Sequence, residues 1–263
     1  MSLLLRDRLI VGLAPERLTA LRIGGLWRPK IIDRHEQTLQ NTNHNHWDEV
    51  IVALEILLER PDWAACNLTV VLSSHFVQYL VIPKGEGLSA QKQNDLAQLI
   101  FRNVFGELSH EWALRTSPSV KQPTLASGVP MPLLGALRDA CEGRAFLRSV
   151  QPALMPIFNR LRRQIKNDSG TLVLLEPGRI SLAVINRGEW GAIISRAGEG
   201  SDLPQFLEED QFLQGHRAGG LLWLCDLTGK LQFPDDSPWL LQPLQAVDSR
   251  PDSIPSLADW GTL

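Results

Sequence analysis

The stretch from Thr171 to Arg196, TLVLLEPGRISLAVINRGEWGAIISR, consists of three apolar runs separated by two tight, glycine-bearing breaks. Short runs rich in Val, Ile and Leu between such turns read as three antiparallel strands. The same pattern opens the chain as LIVGL, RLTALRI and PKIIDRH, with Ala14–Pro15–Glu16 and Gly24–Gly25 as its turns. Setting Pro15 against Pro177, an offset of 162, brings Arg17 onto Arg179, Leu18 onto Ile180, Thr19 onto Ser181, Leu21 onto Ala183 and Ile23 onto Ile185. One residue of slippage at the second turn then pairs Trp27 with Trp190. Each meander is followed by a helical pattern and a buried strand: 47–60 and Asn67–Val71 in the first case, Leu203–Leu213 and Gly220–Asp226 in the second. A repeated β-β-β-α-β unit points to a fold with two related halves, the alternative being an unrelated α/β interaction domain.

Between the units, HFVQYLVIP at 75–83 reads as a strand, and 89–105 as a helix with Ser89 at its N-cap and Leu96, Leu99, Ile100, Val104 and Phe105 on one face. Strands are expected at Trp112–Thr116, Thr124–Ser127 and Phe146–Val150, and helices at about 131–142 and 153–166. The polar group Lys166–Gly170 marks the boundary, dividing the chain into a first half, 1–168, and a shorter second half, 169–263. The last 30 or so residues are proline-rich. Trp239, Leu240, Leu241 and Leu244 are expected to lie there as an irregular strap across the second half, with partner binding as the alternative role.

At 263 residues, 44% hydrophobic and 21% charged, the chain can bury a core without disulfide or metal staples. A net charge of −3 argues against nucleic-acid binding and against strong attachment to anionic lipid. Cys66, Cys141 and Cys225 are widely spaced and odd in number, as in reduced cytoplasmic proteins. The apolar start is broken by Arg6, Asp7 and Arg8, and no run reaches about 18 apolar residues, so a cytoplasmic location is expected.

Two residue patterns carry a family likeness. LTVVLSSHFVQYLVIP at 68–83 is similar to paired strands ending in a proline, and the stretch at 171–196 resembles a phosphate-loop hairpin, in the PilM/GspL/FtsA-type branch of the actin-like ATPase superfamily. The resemblance implies an α/β fold of two actin-like (ribonuclease H-like) β-β-β-α-β-α halves, with the second truncated. It also implies an extra subdomain that binds a partner peptide or the next protomer, for which the chain is short. In nucleotide-binding members each hairpin holds an Asp-x-Gly pattern that organises Mg²⁺ and lets backbone N–H groups approach the phosphates. Here the first turn is Leu13-Ala14-Pro15-Glu16-Arg17 and the second Glu176-Pro177-Gly178-Arg179, each with a proline that has no N–H to donate. If Mg-ATP binds, Glu176, Gly178, Arg179 and Arg17 are the residues to hold it. The glycine-pair loop for adenosine is reduced to Gly229.

These departures favour a non-catalytic scaffold with no cofactor, and the resemblance implies service in a bacterial type IV pilus or type II secretion assembly at the inner membrane. The resemblance implies a partner, the cytoplasmic segment of a membrane protein, lying in a groove of the first half near 68–83 and 89–105. Trp27, Phe76, Tyr79 and Phe101 are its candidate contacts, and homo-oligomerisation is compatible with the family. The alternative is an ATPase or small-molecule kinase of the same fold.

Other clusters read more simply. His35, His44 and His46 lack the three or four fixed ligands of a zinc site, and Ser73–Ser74–His75 reads as a turn because adjacent strand residues point apart. Glu208–Glu209–Asp210 reads as a solvated helix face. Arg160, Arg162, Arg163 and Lys166 suit a helix C-terminus. Of eight tryptophans, Trp47, Trp63, Trp112, Trp190, Trp223 and Trp239 fall in apolar patterns, leaving Trp27 and Trp260 as exposed contact candidates.

Overall fold

The computed structural model describes residues 7–25, 30–40, 47–83, 89–117, 123–165, 168–214, 219–231, 233, 237–245 and 255–261. The first half begins with β1 (Arg8–Ala14), β2 (Arg17–Gly24) and β3 (Lys30–Thr38), followed by α1 (Asp48–Glu59) and β4 (Asn67–Leu72). Next come β5 (Gln78–Ile82), α2 (Ala90–Phe105), β6 (Trp112–Thr116) and β7 (Thr124–Pro130), then α3 (Met131–Cys141), β8 (Phe146–Pro152) and α4 (Leu154–Ile165). The second half contains β9 (Gly170–Glu176), β10 (Arg179–Asn186), β11 (Glu189–Ala197), α5 (Leu203–Gln214), β12 (Gly220–Asp226), β13 (Trp239–Pro243) and the short α6 (Leu257–Trp260).

Two five-stranded sheets repeat one topology, β3-β2-β1-β4-β8 and β11-β10-β9-β12-β13, with the fourth and fifth strands parallel to the first. The offset of 162 holds in three dimensions. Ala14 pairs with Arg17 across the first turn and Glu176 with Arg179 across the second. A register shift falls between Arg22 and Ile23 in β2, and another at the matching place, between Val184 and Ile185, in β10. The pairing of Trp27 with Trp190 does not follow. Ile23 faces Ile31 where Ile185 faces Trp190, so the counterpart of Trp190 is Ile31. The physical reason is loop length: β2 and β3 are joined by five residues, 25–29, and β10 and β11 by two, 187–188.

Period-two alternation explains the continuous apolar runs of β9 and β12. Leu172, Leu174, Trp223 and Cys225 join the large core shared with the first half, while Val173, Leu175, Leu222 and Leu224 pack with Leu203 and Leu207 of α5. Phe158 on α4 stacks against Trp190 on β11 with ring centres 4.0 Å apart, so aromatic packing also joins the halves.

Three expectations change. First, β4 and β5 are not partners. After β4 the chain makes a one-turn helix, Ser74–Phe76, and enters a separate sheet ordered β5-β7-β6, backed by α2. This inserted sheet lies against β11 and gives the first half an additional unit. Second, Ser89 does cap α2, its hydroxyl accepting from Lys92 N–H at 3.4 Å, but the helix buries Gln93, Ala97 and Phe101 and exposes Leu99 and Val104. Third, the tail is no strap across the second half. Its β13 extends the second sheet beside β12, and α6 returns to β1, β2 and β4 of the first. Trp260 is consequently 1% exposed, a core residue rather than a contact site.

Candidate functional site

The two turns that the repeat aligns face a cleft between the halves. Alternation along β9 places Glu176 on the same side as Leu172 and Leu174, towards the first half. The carboxylate is only 1% exposed, and its Oε2 accepts from the backbone N–H of Ser74 at 3.0 Å, across the boundary between halves. A second bridge lies beside it, where His75 Nε2 donates to the Pro177 carbonyl at 2.9 Å. A carbonyl can only accept, so this bond places the imidazole proton on Nε2. The one-turn helix supplies both groups, and the Ser73 hydroxyl fixes that turn by accepting from His75 N–H.

Burial pushes the Glu176 carboxyl above its ordinary value, opposed in part by the Ser73 and Ser74 hydrogen-bonding groups and by the Arg179 charge. Arg179 itself is partly buried, which lowers its pKa against the raising influence of Glu176 and Tyr79. It donates through Nη1 to Ser195 Oγ at 3.3 Å, so it is held on its own sheet. Gly178 adopts φ +71, the left-handed value that the position after the turn proline requires. Arg17, on the other turn, is ion-paired with Glu36 at 3.3 Å.

The space left between the turns is about 90 Å³, lined by Gly12, Ala14, Pro15, Thr19, Glu176 and Leu257 among others. Ligand pockets for nucleotide-sized molecules span roughly 300–1,000 Å³. The inward-turned acid, the two prolines without N–H groups and the volume do not fit Mg-ATP.

The candidate contacts fare differently from expectation. Phe76, Tyr79 and Phe101 are 4%, 5% and 0% exposed, because alternation and helix periodicity direct each into a core, and Trp27 lies outside the described residues. A surface groove exists elsewhere in the first half. The face of the inserted sheet opposite α2, together with α3 and β8, encloses about 470 Å³ lined by Ala113, Val129, Leu134 and Val150, with Arg115, Arg138 and Arg148 beside them. None of its described lining residues is acidic. The three arginines sit on three separate elements, β6, α3 and β8, so no single helical or strand period reveals them. His44 and His46 are outside the described residues, and among the described residues no group of three or more His, Cys, Asp or Glu could hold a metal. No described helix is long and apolar enough to cross a membrane.

This arrangement, two β-β-β-α-β units facing each other across a cleft, is the actin-like ATPase fold. A protein of unknown function with that fold from Bacteroides thetaiotaomicron is similar at a TM-score of 0.59 and 10% identity, over 84% of this chain and 82% of that one. The cytoplasmic domain of EpsL, an inner-membrane component of the type II secretion system of Vibrio cholerae, is similar at 0.60 and 11% identity, over 91% and 90%. A chain of the PilM–PilN type IV pilus biogenesis complex is similar at 0.54 and 12% identity, over 77% of this chain and 65% of that one. No protein-family model matches the sequence, and no curated protein is similar to it in sequence.

Proposed function

We propose that this protein is a non-catalytic actin-like scaffold of a bacterial type IV pilus or type II secretion assembly, located in the cytoplasm at the inner membrane and holding the cytoplasmic segment of a membrane partner. The observation that carries the reading is Glu176. The acid at the phosphate-loop position is turned into the protein and ties the halves together through Ser74 N–H, where a nucleotide site needs it facing the ligand. The assembly context is supported by the likeness to the EpsL domain and to a chain of the PilM–PilN complex.

The arginine-lined groove is the docking surface we assign to the partner. Its apolar floor suits a segment that anchors through apolar side chains, and its three arginines, with no acidic residue in the described lining, suit carboxylates on the same segment. The test is capture from bacterial membranes with the purified protein as bait. Wild type is expected to recover a single-span inner-membrane protein, and a variant carrying Arg138→Glu and Arg148→Glu to lose it. Recovery of no such protein, or capture indifferent to the charge reversal, counts against the reading. In parallel, about 5 mM Mg-ATP should leave the melting temperature unchanged, whereas a Kd near 50 μM would stabilise the protein by roughly 2.7 kcal/mol.

A further inference from the structure

The geometry points to the free edge of β6 as a two-fold interface, at which β6 of a second copy of this chain pairs antiparallel and joins the two inserted sheets. Ser117 N–H donates to the Leu125 carbonyl at 2.9 Å. Hydrogen-bonding direction alternates along an antiparallel ladder, so Ala113 and Arg115 also bond to β7, while the backbone groups of Trp112, Leu114 and Thr116 point away from it. Pro130, opposite Trp112, fits that alternation because it has no N–H to give. The Leu114 carbonyl accepts from Arg115 Nη1 at 3.3 Å, on the exposed side, and keeps a second lone pair. Trp112 N–H is already given to the Ser109 carbonyl. The open groups are therefore the N–H of Leu114 and Thr116 and the carbonyls of Trp112, Leu114 and Thr116. Among the described residues no strand lies beyond them. Other sheet edges are blunted: β5 lies against β11, β3 carries Lys30, Asp33, Arg34 and Glu36, and β8 and β13 end in Pro152 and Pro243. On β6 the only charge is Arg115.

Self-complementarity selects a second copy as the occupant. A two-fold axis at Leu114 lets Leu114 N–H donate to the Leu114 carbonyl of the second copy, and Thr116 N–H to its Trp112 carbonyl, each reciprocally. Both open donors are then used, and Arg115 stands opposite Ala113 of the second copy. Centring on Arg115 would face two arginines, and centring on Ala113 would leave Thr116 N–H unpaired. Charge on α2 agrees with the same axis. This helix runs antiparallel to β6, with Thr116 Oγ1 donating to Asn94 at 3.0 Å towards one end and Phe105 stacked on Trp112 at the other. Two troughs of about 490 and 300 Å³ lie between helix and edge, and Gln98, Leu114 and Arg115 line both, so Gln98 is level with Leu114. The axis therefore brings exposed Asp95, one turn before Gln98, towards Arg102 of the second copy, one turn after it, and reciprocally. At present Asp95 is bonded by Gln91 and Arg102 by Glu107, all on the exposed surface. Leu99, 55% exposed beside Gln98, meets its own counterpart across the axis and leaves water.

The interface does not rest on the scaffold reading, and sedimentation of the purified protein tests it. Between about 1 and about 500 μM the mass is expected to rise from one chain to two, with a Kd on the order of 10 μM for an interface of small size. Amide exchange at Leu114 and Thr116 should slow as the dimer forms, while exchange along the β3 edge stays unchanged. Thr116→Pro removes an open N–H on an edge strand, where proline is tolerated, and should weaken association at least about tenfold. Leu99→Glu, at an exposed helix position, should weaken it by about as much. Asp95→Arg should weaken association about threefold or more, and Asp95→Arg combined with Arg102→Asp should restore it. Circular dichroism verifies that each variant folds, and should Thr116→Pro not fold, Leu99→Glu and the charge swap decide alone. A single-chain mass at every concentration overturns the proposal. So does a dimer indifferent to Leu99→Glu, or one that the double charge swap leaves as weak as the single substitution. Protection of Leu114 and Thr116 that requires a foreign peptide gives the edge to another occupant and overturns it as well.

Discussion

The inward faces of β1 and β9 occupy equivalent places in the two halves, yet one carries Ile10, Gly12 and Ala14 and the other Leu172, Leu174 and Glu176. The small face leaves room for α6. A methyl group built on Gly12 would stand 2.5 Å from Leu257 Cβ and 2.7 Å from Ala258 N. The large face instead joins the shared core and ends in the Glu176 latch. A duplicated backbone has thus been given two different jobs by side-chain volume alone: one strand receives the tail, the other meets the opposite half. Leu257 from one side and Glu176 from the other line the cleft between them.

The sharpest break of this comparison is truncation of the two acids nearest the turns. Glu176→Ala leaves the buried Ser74 N–H without its acceptor and opens a void between the halves, so a loss of roughly 2–4 kcal/mol is expected. Glu16→Ala, on the partly exposed first turn, should cost less than about 0.5 kcal/mol. Urea denaturation of the two variants checks the contrast, and equal losses would mean that Glu176 holds nothing that Glu16 does not.

Next in size is Gly12→Ala. The added methyl meets the backbone of α6 as well as a side chain, and overpacking of this kind costs about 1–3 kcal/mol. The loss should be specific to the tail. Hydrogen exchange of the Ala258 and Asp259 amides is expected to accelerate while amides of β10 and α5 stay protected. Uniform acceleration would contradict a separately docked α6.

Much of the fold was legible from periodicity because the same physics acts locally in both halves. The two meanders, the Ser89 cap and the matching turns all follow from residues close in sequence. The tail held one unused local signal, Ser256 and Asp259, which form a reciprocal capping box and announce a helix start. Asp259 also takes Arg34 at 2.7 Å, a long-range bond that no sequence spacing reveals. The site was harder to read. Alternation along β9 puts Glu176 with Leu172 and Leu174, but which sheet face meets the other half depends on α4, α5 and the inserted sheet together. For the same reason Phe76 and Tyr79 could pass for surface contacts: their strand and turn look identical in sequence whether covered or not.

The smallest effect separates the latch from a charged ligand site by its pH dependence. Burial raises the Glu176 carboxyl in the folded protein, whereas the unfolded chain titrates at an ordinary carboxylate value, roughly 4.3. As pH rises past that value the unfolded state releases its proton while the folded state retains one, so the unfolded state binds fewer protons. Stability attributable to this residue is therefore fully present below the unfolded value, falls with rising pH, and levels off once the folded carboxyl has ionised. Glu176→Gln removes the titration and keeps an acceptor for Ser74 N–H. Its stability relative to wild type should therefore climb between about pH 4 and the point where the folded group ionises, by less than the truncation effect. Denaturation curves taken across that range give the difference directly. A relative stability that falls with pH would mean that Arg179 and the serine hydroxyls outweigh burial and hold the carboxyl ionised, reversing the assignment of Glu176 as a desolvated latch.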